Sequence, residues 1–345
     1  MVRVQALGLF GLAVAAHSCR VDPSRRIVDD ARYPIEAGKP PPKELPPDLL
    51  DAFTRCGTAE VFDFYVDDTM GGQGLHVKFR EEAFARHVES ARGLIDRADE
   101  DAGSKSGPSR YLKAMPGAIG HATAAMRKYR EAFRGARVAV FGSQQPTYET
   151  IALALGAASV TVFEYQTPVY EHELVDVADA RDLNAAAAAA GGWPSPGEGD
   201  AARGAAWLRG GGLFDVALSI SSFDHDGLGR YGDALSPDGD LRAMDTARAA
   251  VRPGGLLLVS VPVGPDAVAF NLMRRYGRAR LPLLLEGWEE DGRVGWDEAR
   301  LDADVNIRRS FEPVFALRKP VADGAGTDWA AEMRRPAGER RGGEL

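Results

Sequence analysis

Short runs of alternating apolar and polar residues dominate the middle of the chain. Arg137–Phe141 (RVAVF), Ser159–Phe163 (SVTVF) and Phe214–Ile220 (FDVALSI) each read as a strand closed by Gly142, Glu164 or Ser221. A shorter run lies near Leu174–Val177, and LLLVSV follows the Arg252–Gly255 turn and stops at Pro262. Helical segments separate them: one opened by Pro146 and stopped at Gly156 after Leu155, an alanine helix over Leu183–Ala190, and Leu241–Val251. Strands alternating with helices predict a parallel sheet with right-handed crossovers. Only Gln166–His172 separates the second strand from the third, too little for a crossover helix. Phe311–Lys319 is expected to pair antiparallel at an edge.

Upstream, the pattern predicts a short helix over Asp48–Arg55, an apolar run Val61–Val66, a turn at Gly71, Gly72 and Gly74, and a helix over Arg80–Asp99. In that helix Ala83, Phe84, Val88, Ala91, Leu94 and Ile95 recur at three and four, which lays one face on a core. A polar loop over 99–109 and a helix over His121–Phe133 complete this part. The boundaries are a signal peptide at 1–18, a Pro-rich linker at 19–47, a mainly helical extension at 48–134, a Rossmann-like domain at 135–319 and a disordered tail at 320–345. Gly191–Asp200 reads as an insertion.

Composition narrows the function. Hydrophobic residues at 45% and charged residues at 27% place the chain among ordinary globular proteins. A net charge of −8 argues against nucleic-acid phosphates as partners. Arg3 followed by the apolar segment Val4–Ala16, with small residues permitting cleavage after Ala16 or Ser18, predicts secretion or delivery to an endomembrane lumen, with no stable membrane insertion after cleavage. Cys19 and Cys56 are too few for a disulfide scaffold or a thiolate zinc site. Oligomeric state is left open.

Candidate chemistry gathers at the carboxyl ends of the strands, where open parallel sheets bind ligands. Glu164 lies 22 residues after Gly142, near the spacing of a ribose-binding acid from a first-strand turn. The turn GSQQPTYE lacks the further glycines that a pyrophosphate requires, which favours a nucleoside cofactor such as S-adenosylmethionine. Gly142, Ser143, Gln144, Glu164, Tyr165, Ser221 and Ser222 are the cofactor candidates, with Asp179 or Asp182 near the adenine. After the fourth strand, Asp224 and His225 are candidate proton carriers, and Arg230, Tyr231, Asn271 and Arg274 are candidate substrate contacts. Asp238 and Asp240 are expected to cap the next helix.

SSFDHDGLGRYGDALSPDGDL, with VFGSQQPTYE, GAASVTVFEY, VPVGPDAVAFNLMRRYGRARLPLLLEGWE and FEPVFALRK, resembles the domain of unknown function 268 family over roughly Gly135–Lys319. That family is similar to class I S-adenosylmethionine-dependent methyltransferases. The resemblance implies an α/β fold with a Rossmann-like, mostly parallel sheet of that type and a helical N-terminal extension. With that fold, the first reading is methyl transfer from S-adenosylmethionine to an oxygen or nitrogen nucleophile of an unidentified small-molecule or glycan substrate. The chain departs from the family pattern at Asp224, where glutamate is usual, at Met273, where histidine is usual, and at Thr147, where tryptophan is usual. Two other readings stand beside this one. Asp224, His225 and Asp226 form an acid-x-acid triplet of the kind that holds a divalent metal in a sugar-nucleotide glycosyltransferase. Alternatively, the fold is retained as a non-catalytic binding module. Metal ligation by His225 with Asp233 or Asp240 has no spacing signature.

Overall fold

The computed structural model describes residues 40–69, 77–103, 117–191, 202, 204–205, 213–303, 306–307 and 310–321. The expected signal segment, the linker up to residue 39, the turn at Gly71, Gly72 and Gly74, residues 104–109 of the polar loop, the insertion over 192–200 and the tail from 322 lie outside these. Among the described residues no helix is long and apolar enough to cross a membrane.

The chain begins with α1 (Leu50–Thr54), β1 (Glu60–Phe64), β2 (Lys78–Phe79), α2 (Glu81–Gly103), α3 (Gly117–Lys128) and α4 (Arg130–Phe133). The alternating region follows as β3 (Arg137–Phe141), α5 (Thr147–Ala154), β4 (Ser159–Glu164), β5 (Val169–Tyr170), β6 (Val175–Asp179), α6 (Ala180–Gly191) and β7 (Phe214–Ile220). Then come α7 (Gly239–Ala250), β8 (Val251–Ser260), β9 (Ala267–Asn271), β10 (Met273–Arg275), α8 (Arg280–Leu285), β11 (Glu289–Val294) and β12 (Val314–Arg318).

The main sheet has seven strands in the order β11-β12-β8-β7-β3-β4-β6. Its parallel part, β6-β4-β3-β7-β8, runs third, second, first, fourth, fifth, so the strand order reverses between β3 and β7. This is the doubly wound, Rossmann-like arrangement expected from the sequence. β12 pairs antiparallel with β8 as expected, but it is not the edge. β11, whose sequence EEDGRV carries no apolar alternation, pairs outside it. An exposed edge strand can be charged because its outer backbone row faces solvent and like-charged edges resist pairing with other chains.

The short β4–β6 connection has a physical answer. No helix crosses there; β5 instead pairs parallel with β2 from the N-terminal extension. α2 supplies the missing cover: Phe84 packs on Tyr170 at 5.7 Å and on His172 at 5.0 Å, and Val88, Ala91 and Ile95 share one buried cluster with Val160, Val162 and Val175. On the opposite face Leu183 from α6, Leu241 and Met244 from α7 and Leu284 from α8 cover Phe163, Ala217, Leu257 and Phe315. β1 runs parallel to β9 and, with antiparallel β10, forms a small separate sheet.

The expected capping by Asp238 and Asp240 does not occur. Asp238 occupies the N-cap position of α7 without a side-chain cap bond. Both carboxylates turn instead to buried arginines: Asp238 to Arg55, at 2.5 Å, and Asp240 to Arg280, at 2.5 Å, and to Arg274, at 3.8 Å. Tyr276 donates to Asp240 at 2.7 Å. Burial pushes the Asp240 carboxyl up, but Arg280 and Arg274 outweigh it and hold it well below the usual carboxylate range. A depressed carboxyl contributes stability above its unfolded value that disappears only as pH falls through the folded one. Asp240→Asn is expected to cost about 3–5 kcal/mol at neutral pH, because it leaves buried guanidinium groups uncompensated; urea unfolding of the two chains measures this.

Candidate active site

β3 and β7 part at their carboxyl ends, and a cavity of about 350 Å³ opens there, as expected beside a reversal of strand order. The turn after β3 forms its floor. Gly142 sits at φ +70°, and a Cβ there would lie 2.0 Å from Ser222 Oγ, so this position admits only hydrogen. The Ser143 amide donates to Glu164 Oε2 at 2.7 Å. Glu164 Oε1 accepts from the Tyr165 amide at 2.8 Å. The acid at the end of β4 thus fastens the turn after β3 while its carboxylate lines the cavity. Burial raises its pKa, and the backbone donors pull the other way.

Beyond Glu164 lies an aromatic and amide region. Tyr165, Phe163, Ala180 and Asn184 line it, with Asn184 Nδ2 donating to the Tyr165 hydroxyl at 3.1 Å. Asp179 does not reach this region: its carboxylate accepts from the backbone and guanidinium of Arg181. Asp182 is buried and is not part of the lining. Arg181 also donates to the Tyr165 carbonyl, so the first turn of α6 is spent on structure.

The loop after β7 forms the opposite wall. Ser221 has φ +52°, Ser222 follows, and Phe223–His225 makes a single 3-10 turn that ends at Asp226. Asp233 holds the loop by accepting from the amides of Gly227 at 2.7 Å and Gly229 at 3.2 Å. His225 lines the cavity. Its Nδ1 donates to the Leu272 carbonyl at 2.5 Å, which fixes the tautomer and leaves Nε2 as an acceptor. Burial, with Arg230 nearby, lowers its pKa to about 4, so the imidazole is neutral at neutral pH.

Asp224 does not reach the cavity. Its side chain is fully buried, its oxygens meet no donor from another residue, and His225 Nε2 lies 3.5 Å from Oδ2. Burial raises its pKa to about 7. Of the expected substrate contacts, Tyr231 lines the cavity and meets His225 edge-on at 5.9 Å, while Arg230 pairs with Asp68 at 2.6 Å. Asn271 and Arg274 do not line the cavity. Asn271 exchanges hydrogen bonds with the backbone of Val66, and Arg274 donates to the carbonyls of Asp226, Ser236 and Pro237. Both are fully buried, and a strand that leads from an apolar segment into a charged one gives no hint of this from sequence.

Several lining residues escaped the sequence reading. Gln145, Thr147 and Tyr148 come from the turn after β3 and the start of α5, and Ile119 from α3. Asp226 lines the cavity beside His225, although the sequence put weight on Asp224. The signal for Tyr148 and Thr147 was their place at the first turn of a helix beside the expected site. Ile119 had no signal, because its helix lies far upstream in sequence.

Residues 204–300 match the family described as Caenorhabditis protein of unknown function, DUF268. No curated protein matches the chain. Among solved structures, the chain is similar to the Burkholderia thailandensis 1,6-didemethyltoxoflavin-N1-methyltransferase with bound 1,6-didemethyltoxoflavin and S-adenosylhomocysteine. The identity there is 16%, over 70% of this chain and 92% of that one, with a TM-score of 0.39. It is also similar to an S-adenosylmethionine-dependent methyltransferase from Mesorhizobium loti at 15% identity, over 60% of this chain and 100% of that one, with a TM-score of 0.35. Both scores are under 0.5, so the strand order of the chain itself remains the ground for the fold.

Two outcomes follow from the site's packing. Gly142→Ala is expected to abolish ligand binding at the cavity, since the methyl would overlap Ser222 and demand a strained backbone; binding titration beside circular dichroism checks it. Asp224 binds more protons folded than unfolded, so its burial lowers stability as pH rises from the ordinary carboxylate range to about 7. Asp224→Asn is therefore expected to stabilise the chain by on the order of 2 kcal/mol at pH 8, and little at pH 4, in urea unfolding at both pH values.

Proposed function

We propose that the chain binds S-adenosylmethionine in this cavity and transfers its methyl group to an oxygen or nitrogen of a small, uncharged or cationic acceptor. One observation carries the reading: among the described residues the lining holds Glu164 and Asp226 but no lysine or arginine. Burial raises the pKa of both carboxyls, Asp226 the further, and a carboxyl-lined wall with no cation among the described lining residues accommodates a positive sulfonium and disfavours a diphosphate. In this reading Glu164, a wall residue of the cavity, accepts from vicinal ribose hydroxyls, and Tyr165 and Asn184 lie beside the base. When bound, the cofactor supplies an electrophilic methyl group. The chain's own contribution is to orient the partners, exclude water and receive a proton at His225 Nε2.

The glycosyltransferase reading finds less support. Within the acid-x-acid triplet only Asp226 and His225 line the cavity, while Asp224 lies behind the imidazole. Among the described residues no group of three His, Cys, Asp or Glu side chains is disposed to hold a metal ion. We further propose a secretory-pathway location, in line with the apolar N-terminal segment and with the disulfide at Cys56, a bond that persists in oxidising compartments.

Calorimetric titration with S-adenosylhomocysteine in the presence of a chelator is expected to show micromolar binding. Glu164→Gln should weaken it at least about tenfold, the effect of losing a charged hydrogen-bond acceptor. Binding of a sugar nucleotide that requires manganese, with none of the thioether, would overturn the reading.

A further inference from the structure

The cavity has two sides. β7 and β4 flank β3 in the sheet, so the residues that follow them lie to either side of the turn at Gly142. Glu164, Tyr165 and Asn184 line the β4 side, where the methyl-transfer reading seats the nucleoside. The β7 side is built from Ile220, His225 and Tyr231, with Ile119 from α3 and Tyr148 from the first turn of α5, which packs on α3. α3 belongs to this side because His121 Nδ1 donates to the Glu312 carbonyl at 2.8 Å, just before β12, and β12 lies beyond β7 and β8. The aromatic groups there are fixed. Tyr231 meets His225 edge-on at 5.9 Å, and the Arg230 guanidinium lies over the Tyr231 ring at 5.0 Å while pairing with Asp68 at 2.6 Å. Rings held in this way offer a rigid surface to another ring, which they prefer to meet offset or edge-on. The phenol hydroxyls of Tyr148 and Tyr231 meet no hydrogen-bond partner among the described residues, so each can bond a hydroxyl of a ligand. Charge is lacking on this side. The imidazole is neutral at neutral pH, and burial pushes the Asp226 carboxyl well above the usual carboxylate range. Among the described lining residues, neither an anionic nor a cationic acceptor finds a fully charged partner beside His225.

We propose that the acceptor is a neutral aromatic compound with phenolic hydroxyls, seated on the β7 side against Ile119, Tyr148 and Tyr231 with its reacting hydroxyl at His225; this rests on the methyl-transfer reading of the cavity. The reacting oxygen forms the new O–CH₃ bond with a lone pair. The electron pair of the broken S–CH₃ bond stays on sulfur, which becomes a neutral thioether, and the hydroxyl proton passes to His225 Nε2 and then to solvent. A phenol suits this base. Burial, with Arg230 nearby, lowers the imidazole to about 4. A base that weak takes a proton from a phenol, which ionises near pH ~10, far more readily than from an alkyl or sugar hydroxyl. The two tyrosine hydroxyls give the site its selectivity for hydroxylated rings, since polar groups built to bond a ligand hydroxyl are left unpaired by an analogue that lacks it.

The test is calorimetric titration of the full chain saturated with S-adenosylhomocysteine. Catechol is the probe, set beside trans-1,2-cyclohexanediol, which keeps two vicinal hydroxyls without the planar ring, benzylamine, which keeps the ring and adds a cation, and methyl glucoside. Catechol is expected to bind at least about tenfold more tightly than each of the others. Tyr148→Phe and Tyr231→Phe each delete one hydroxyl and should each weaken catechol by about fivefold, with the affinity for S-adenosylhomocysteine unchanged. Ile119→Trp, which fills this side from α3, should block catechol and spare the thioether, and it serves if a phenylalanine variant does not fold. Equal or tighter binding of the diol, the amine or the glucoside overturns the proposal, as does no binding of catechol, or catechol binding that folded variants leave unmoved. Absence of S-adenosylhomocysteine binding to the parent chain defeats the methyl-transfer reading instead, and the preference for the hydroxylated ring is then decided by the same titrations without the thioether.

Discussion

The pairing of Asp238 and Asp240 with Arg55, Arg274 and Arg280 is the constraint on which the site depends. These side chains come from four separate parts of the chain: α1's end, the start of α7, β10 and α8. Each charge is out of water, so each is tolerable only with the others in place. Arg274 also donates to the carbonyls of Asp226, Ser236 and Pro237, which bracket the loop that follows His225 and carries Tyr231. With Asp233 holding that loop through its amides, the imidazole has one position, and Leu272 fixes its tautomer. The ion pairs thereby remove freedom from the wall of the cavity.

The N-terminal extension is bound into the same frame. Arg55 reaches the ion-pair group, β1 pairs with β9, and α2 covers the β4–β6 side of the sheet. Residues 66–69 then pass over the carboxyl ends of the strands. There Asp68 accepts from Gln166 Nε2 through its carbonyl and pairs with Arg230 through its side chain. The extension and the sheet therefore share a core and a site.

The parallel strands and the ligand-facing ends were legible because buried strands leave continuous Val, Leu and Phe runs and because Gly142 and Glu164 end theirs abruptly. β11 was not legible, since a charged edge strand carries no apolar alternation. Nor were the roles of Asp238, Asp240, Asn271 and Arg274. Polar residues in a loop look alike in sequence, whether they face a ligand or are buried against one another, and only the three-dimensional pairing tells them apart. The same limit promoted Asp224 over Asp226, of which only Asp226 lines the cavity. Spacing located the neighbourhood of the cavity, and packing decided which of its carboxylates line it.

The most direct test of the account is a crystal structure of the chain grown with S-adenosylhomocysteine. The account predicts the adenosyl group in the cavity between β3 and β7, with its ribose hydroxyls on Glu164, its base against Tyr165 and Asn184, and its sulfur toward His225. Ligand density outside this cavity, or a ribose that leaves Glu164 without contact, would contradict it.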